Sequence, residues 1–125
     1  MNYFGATTTA LSIVPKSVTA TETGSAIDLQ GAEGDILFNA MFGSLSGSDA
    51  TFTISLTDCD TSGGSYAAVS NSTFATVPTY SSDNTVVSHV MPHRALRRYV
   101  KVVITITGTT TALVAASATY RAKTA

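Results

Sequence analysis

The segment Thr51-Phe52-Thr53-Ile54-Ser55-Leu56-Thr57 alternates an apolar residue with a hydroxyl residue at every step. Successive side chains of a strand point to opposite faces, so this period of two predicts a strand with Phe52, Ile54 and Leu56 inward and the hydroxyls outward. The same period runs through Arg98 to Thr107, where Val100, Val102, Ile104 and Ile106 share one face. From Asp35 to Phe42 it gathers Ile36, Phe38, Ala40 and Phe42, while Leu37 and Met41 on the opposite side suggest a central strand or an interface.

Weaker strand patterns cover Lys16 to Thr21, Ala26 to Gln30, Thr85 to Val90 and Ala112 to Tyr120. The last is rich in alanine, whose helix propensity competes with the strand. Thr107 to Thr111 before it reads as a hairpin connection to the preceding strand. Turn compositions fall at Glu22 to Ser25, Gly31 to Gly34, Gly43 to Asp49, Asp58 to Ser65 and Ser81 to Asn84. Tyr66 to Tyr80 lacks a regular period and reads as a long excursion with a short helical turn near Asn71 to Phe74. About seven or eight strands result, the number of an all-β, antiparallel two-sheet β-sandwich of jelly-roll or immunoglobulin-like kind.

Composition agrees with this class. Hydrophobic residues make up 44% of the 125 and charged residues only 12%, about half the usual charged share. Serine and threonine supply the polarity instead, and threonine suits the half-exposed face of a strand. The length fits one core and one sandwich domain over residues 16–125. Residues 1–15 carry no charge and mix Tyr3, Phe4, Leu11 and Ile13 with threonines. They read either as a first strand or as an arm that docks on a neighbouring subunit, since apolar residues on a terminal segment need a covering surface.

The single cysteine, Cys59, excludes an intrachain disulfide and fits synthesis in a reducing cytosol. No apolar run approaches the roughly 20 residues of a membrane span, and no basic leader precedes the weak N-terminal apolar stretch, so neither a signal peptide nor membrane attachment is expected. Net charge is −1, but up to Val90 there are eight acids and one base, and from Met91 six bases and no acid. Such asymmetry marks a nucleic-acid surface in some chains. In an interleaved sandwich the two blocks mix in space instead, and a net negative chain is not expected to bind nucleic acid specifically.

Candidate chemistry is thin, and the expectation is a protein that is not an enzyme and needs no cofactor and no metal. His89 and His93 have the spacing of a helical metal pair, but Pro92 disrupts that turn and no nearby acid completes a site. Asp58 to Gly64 partly matches a calcium loop without its closing acidic ligand. Cys59 lies between Asp58 and Asp60, which would raise the pKa of its thiol and blunt it. Arg94, Arg97, Arg98 and Lys101 form the one charge cluster, suited to a solvated strand entrance or to a protein contact, with Tyr99 beside it.

Three stretches carry a family resemblance: Ile13-Val14-Pro15-Lys16 with Ala26-Ile27-Asp28-Leu29-Gln30-Gly31; Ile54 to Asp60 with Tyr66-Ala67-Ala68-Val69; and Arg98 to Thr109. Together they resemble the head-decoration, or capsid cement, proteins of tailed bacteriophages. The longer loop after Asp60 and the uncharged N-terminal stretch depart from that pattern. The resemblance implies a virion structural protein, made in the bacterial cytoplasm, that binds the outside of an assembled capsid and stabilises it. Its implied partners are the major capsid protein and further copies of itself, as a dimer or trimer. Tyr3, Phe4, Leu11 and Ile13, with Arg94, Arg97 and Arg98, are the expected contact residues. The alternative is a carbohydrate- or receptor-binding module of a phage tail or fibre; the absence of tryptophan weighs against it.

Overall fold

The structure is a computed structural model that describes residues 7–122. The strands are β1 (Thr7–Val18), β2 (Glu22–Thr23), β3 (Ile27–Asp28), β4 (Ala32–Leu45), β5 (Thr51–Cys59), β6 (Ala67–Ala68), β7 (Thr85–Pro92), β8 (Tyr99–Thr107) and β9 (Ala112–Ala122). One sheet has the order β1-β9-β4-β7; the other runs β2-β8-β5-β6, with β3 also paired to β8. All pairings are antiparallel. Because β2 meets Ile104 and Val103 while β3 meets Val100 and Tyr99, the two act as one interrupted strand.

With β2 and β3 merged, the chain changes sheet at every connection except β5–β6. That alternation is the jelly roll, not the immunoglobulin order. It also overturns the expected hairpin at Thr107 to Thr111, because β8 and β9 lie in different sheets. The connection is an arch. Gly108 takes φ 96° there, and a Cβ on it would lie 2.8 Å from the Asp49 carbonyl oxygen. Thr110 donates its hydroxyl to the Ser46 carbonyl at 2.6 Å, tying the arch to the β4–β5 connection.

The inward faces form one core. Phe38, Phe52 and Phe74 are among its largest fully buried side chains, and the Phe42 and Phe52 rings meet between the sheets at 5.1 Å. Alanine-rich β9 is a strand because it runs between β1 and β4, where Ala115, Ala116 and Ala118 are buried. Pairing along both edges, with the inner face of the strand in the core, outweighs helix propensity.

Two weaker patterns shorten. Ala26 to Gln30 keeps only Ile27–Asp28 as strand, and Lys16 to Thr21 contributes only the end of β1. No helical turn forms at Asn71 to Phe74, where Asn71 takes φ 58°. That stretch instead tracks the edge of β5: Val69 N–H donates to Leu56, Phe74 N–H to Ile54, and Tyr80 N–H to Ala50. The buried Ser72 hydroxyl accepts from Leu56 N–H at 3.2 Å and donates to the Val69 carbonyl at 2.8 Å.

One buried hydroxyl joins the sheets. Where β2 gives way to β3, the backbone leaves β8, and Val102 N–H has no strand partner on that side. Ser12, projecting from β1 of the other sheet, accepts that N–H at 3.0 Å and donates to the Ser25 carbonyl at 2.9 Å. Gly24 is required beside it, since a Cβ there would come within 2.7 Å of the Ser12 carbonyl oxygen.

Candidate interaction surface

The two outer faces of the sandwich differ in chemistry. On the β1-β9-β4-β7 sheet the outward positions are set by register: Leu37 pairs with Val90 and Thr119, Asn39 with Ser88 and Ser117, and Met41 with Val86 and Ala115. Leu11 joins the middle row opposite Ser117. Ser88 donates its hydroxyl to Asn39 Oδ1 at 2.6 Å, so the centre of the face is polar without being charged. Val86, Val90, Leu113 and Leu11 remain 61%, 53%, 48% and 49% exposed. Charged side chains stand at the ends of this face, with Glu33, Asp35 and Arg121 at one and Lys16 at the other.

Half-exposed aliphatics spread over four strands give this face the apolar character that marks interaction surfaces. Toward the Lys16 end, Pro15, Met41, Gly43, Leu113 and Ala115 line a shallow depression of about 370 Å³. Its floor exists because Gly43 and Ala115 are small, and Leu113 packs directly over Gly43.

The other outer face is occupied by ion pairs and rings. Arg98 donates Nε and Nη2 to the two carboxylate oxygens of Asp28, both at 3.0 Å, and its guanidinium lies 4.9 Å from the centre of the Tyr99 ring. That guanidinium, with the Gln30 N–H, holds the Asp28 carboxyl below its usual value. Lys101 Nζ sits 4.1 Å over the ring of Tyr66. At the end of the sheet, not on its outer face, the buried Asp58 accepts the Arg97 backbone N–H and Nε at 2.9 and 3.0 Å, and Arg97 Nη2 donates to the Asp58 carbonyl at 2.7 Å.

The acids of the first ninety residues thus meet the bases of the remainder: Asp28 with Arg98, Asp58 with Arg97, and Glu33 with Arg121. Much of the sequence asymmetry is paired across the fold, with Arg94 left exposed. Of the expected contact residues, Leu11 lies on the uncharged face and Ile13, 2% exposed, points into the core. Arg97 and Arg98 are engaged within the chain, Arg94 is exposed on the 3-10 turn His93–Ala95, and Tyr3 and Phe4 lie outside the described residues. Sequence reasoning did not single out Val86, Val90 or Leu113. Their signal was the apolar residue on the supposedly wet side of each strand.

The histidines do not form a pair. His89 stacks on Phe74 with its Nε2 2.9 Å from the Asn71 carbonyl, while His93 Nε2 lies 3.0 Å from the Leu29 carbonyl. His89 lines a cleft of about 550 Å³ at the β6–β7 edge, with Asp58, Ser70, Asn71 and Met91. Cys59 corrects the expected direction: its thiol is lowered, chiefly because the Thr61 N–H favours the thiolate. No group of three or more potential metal-binding side chains occurs, and no helix is long and apolar enough to cross a membrane, among the described residues.

No family model matches the chain, and no curated protein matches its sequence. Solved structures do match. Chains from infectious bursal disease virus, Gx and Gt strains, align over 92% of this chain with TM-scores of 0.55 at 12% and 11% identity. The Clostridium thermocellum xylanase 10B CBM22-1–GH10 modules, solved with xylohexaose, align over 99% with a TM-score of 0.58 at 12% identity. The present chain spans only 33% of each viral chain and 27% of the xylanase chain. At such identity the likeness is one of fold. Fold and surface are compatible with a structural or binding β-sandwich.

Proposed function

We propose that this chain is a virion structural protein that binds the outside of an assembled phage capsid and stabilises it, without catalysis. The observation that carries the reading is the uncharged outer face of the β1-β9-β4-β7 sheet, broad, shallow and half aliphatic. Such a surface suits another protein surface better than a small substrate, which calls for a concave site with convergent polar groups. Leu37 and Val90, paired across β4 and β7, are the proposed shell contact. The family resemblance of the three sequence stretches supports the same reading. Copies arrayed on one lattice reinforce one another, so a modest contact per copy is sufficient.

Purified protein mixed with phage heads lacking it should co-sediment with them. Leu37→Glu with Val90→Glu should abolish this, while Thr53→Glu on the opposite outer face should not. Equal binding by both variants would refute the assignment. A second reading, a carbohydrate- or receptor-binding module, is favoured by the edge cleft where Asp58, Ser70, Asn71 and His89 stand among apolar walls. Binding to a glycan array without binding to heads would establish it in place of the first.

A further inference from the structure

We propose that Tyr3 and Phe4 of one copy dock in the apolar depression between Pro15, Met41 and Leu113 of a second copy, so that the chain self-associates by exchanging its N-terminal residues. The depression is open and, apart from Lys16 at its rim, apolar, with Leu113 48% exposed on its wall. An apolar socket of that kind fits an aromatic side chain, and the largest side chains of the uncharged N-terminal stretch are Tyr3 and Phe4.

Distance decides between the chain's own residues and a neighbour's. Thr7 pairs with Arg121, and Ser17 with Leu113, so β1 runs the length of the sheet between the two ends. At the rise of a strand, the eight residues from Arg121 back to Leu113 cover about 26 Å. Phe4 lies three residues before Thr7 and extends at most about 11 Å beyond it. The near wall, at Met41 and Ala115, is six residues or about 20 Å from Arg121. Because β1 itself runs from Thr7 toward the depression, residues before Thr7 must reverse to approach it, and once a turn is taken out of the about 14 Å of chain that Tyr3 has, neither ring reaches the depression of its own chain. The occupant therefore comes from another copy. The contact joins two different patches, so reciprocal exchange closes a dimer and cyclic exchange a trimer.

This inference does not depend on shell binding, and it is tested without shells. A photo-crosslinking p-benzoylphenylalanine is placed at Phe4 in a mixture of ¹⁵N-labelled and unlabelled full-length chains. Mixed-label cross-links to the peptides carrying Met41 or Leu113 are expected. Cross-links confined to one chain, directed elsewhere, or absent would overturn the proposal. Sedimentation velocity gives the independent readout: Tyr3→Ala/Phe4→Ala and Leu113→Glu should each weaken self-association by about 30-fold. Mixing the two variants should restore one heterologous pair, because one supplies the socket and the other the aromatics. Leu113 is half-exposed, so its substitution leaves the β circular-dichroism spectrum unchanged. A wild-type chain that stays monomeric at about 1 mM, a concentration a lattice readily supplies, overturns the exchange outright.

Discussion

Ser12→Ala removes one oxygen atom and should destabilise the sandwich more than any other hydroxyl deletion on β1. The hydroxyl accepts from Val102 N–H at 3.0 Å and donates to the Ser25 carbonyl at 2.9 Å. Val102 is fully buried, so its N–H is left with no partner and no water, a loss of about 1–3 kcal/mol. Ser25 is exposed, so its carbonyl recovers a bond to water and adds little. The sum is about 2 kcal/mol, roughly an 8 °C fall in Tm for a chain of this size. Urea denaturation with an unchanged m-value measures it, with Ser17→Ala as the exposed control on the same strand. Amide exchange at Val102 should accelerate beyond the global change. If Ser12→Ala and Ser17→Ala cost the same, within about 0.5 kcal/mol, the hydroxyl does not bridge the sheets as argued.

Phe52→Ala, in the centre of the core against Phe42, should cost about 3–5 kcal/mol by chemical denaturation. Asp58→Ala should cost about 2 kcal/mol, because it strips the Arg97 backbone N–H and Nε of their acceptor. Arg97→Ala should cost less, since Asp58 keeps that N–H; the reverse order in a melting experiment would contradict the geometry. Asp28 has a lowered folded pKa, so its pairing with Arg98 stabilises above the unfolded value of about 3.9 and is lost as pH falls through the lower folded value. The stability difference between wild type and Asp28→Asn should therefore shrink on acidification below about pH 4. Because Arg97, Arg98 and Lys16 are paired within the chain, head binding should change little between low and high salt; a steep log–log loss in co-sedimentation would assign the contact to charge instead.

Strands with a clean period of two were legible because a single buried face writes itself into the sequence. Thr51 to Thr57 became β5 and Arg98 to Thr107 became β8, each with its hydrophobic set inward. The strand order was not legible, because alternation says which face is buried and nothing about the sheet to which it belongs. The arch at Gly108 looks like a hairpin for that reason: its glycine and threonines suit either turn, and only the register to β5 or β1 distinguishes them. The irregular stretch Tyr66 to Tyr80 hid its role because it follows the edge of β5 through backbone groups and Ser72, without the pairing of a regular strand. On the surface, Leu37 and Met41 pointed to a central strand, and β4 does lie between β9 and β7, but Leu37 stays 37% exposed. Val86, Val90 and Leu113 were missed because each looks like an ordinary strand residue until the register sets them side by side.

The division of the two outer faces follows from how the chain pairs its charges. A jelly roll brings early and late strands into one sheet, and here that places Asp28 and Asp58 beside Arg98 and Arg97 on the β8 side. With Arg97 and Arg98 held there and Glu33, Asp35, Arg121 and Lys16 confined to its ends, the middle of the β1-β9-β4-β7 face is left to aliphatic and hydroxyl side chains. Exposed apolar surface of that extent promotes association, and the amide-hydroxyl row of Asn39, Ser88 and Ser117 across its middle keeps the face wettable before it finds a partner.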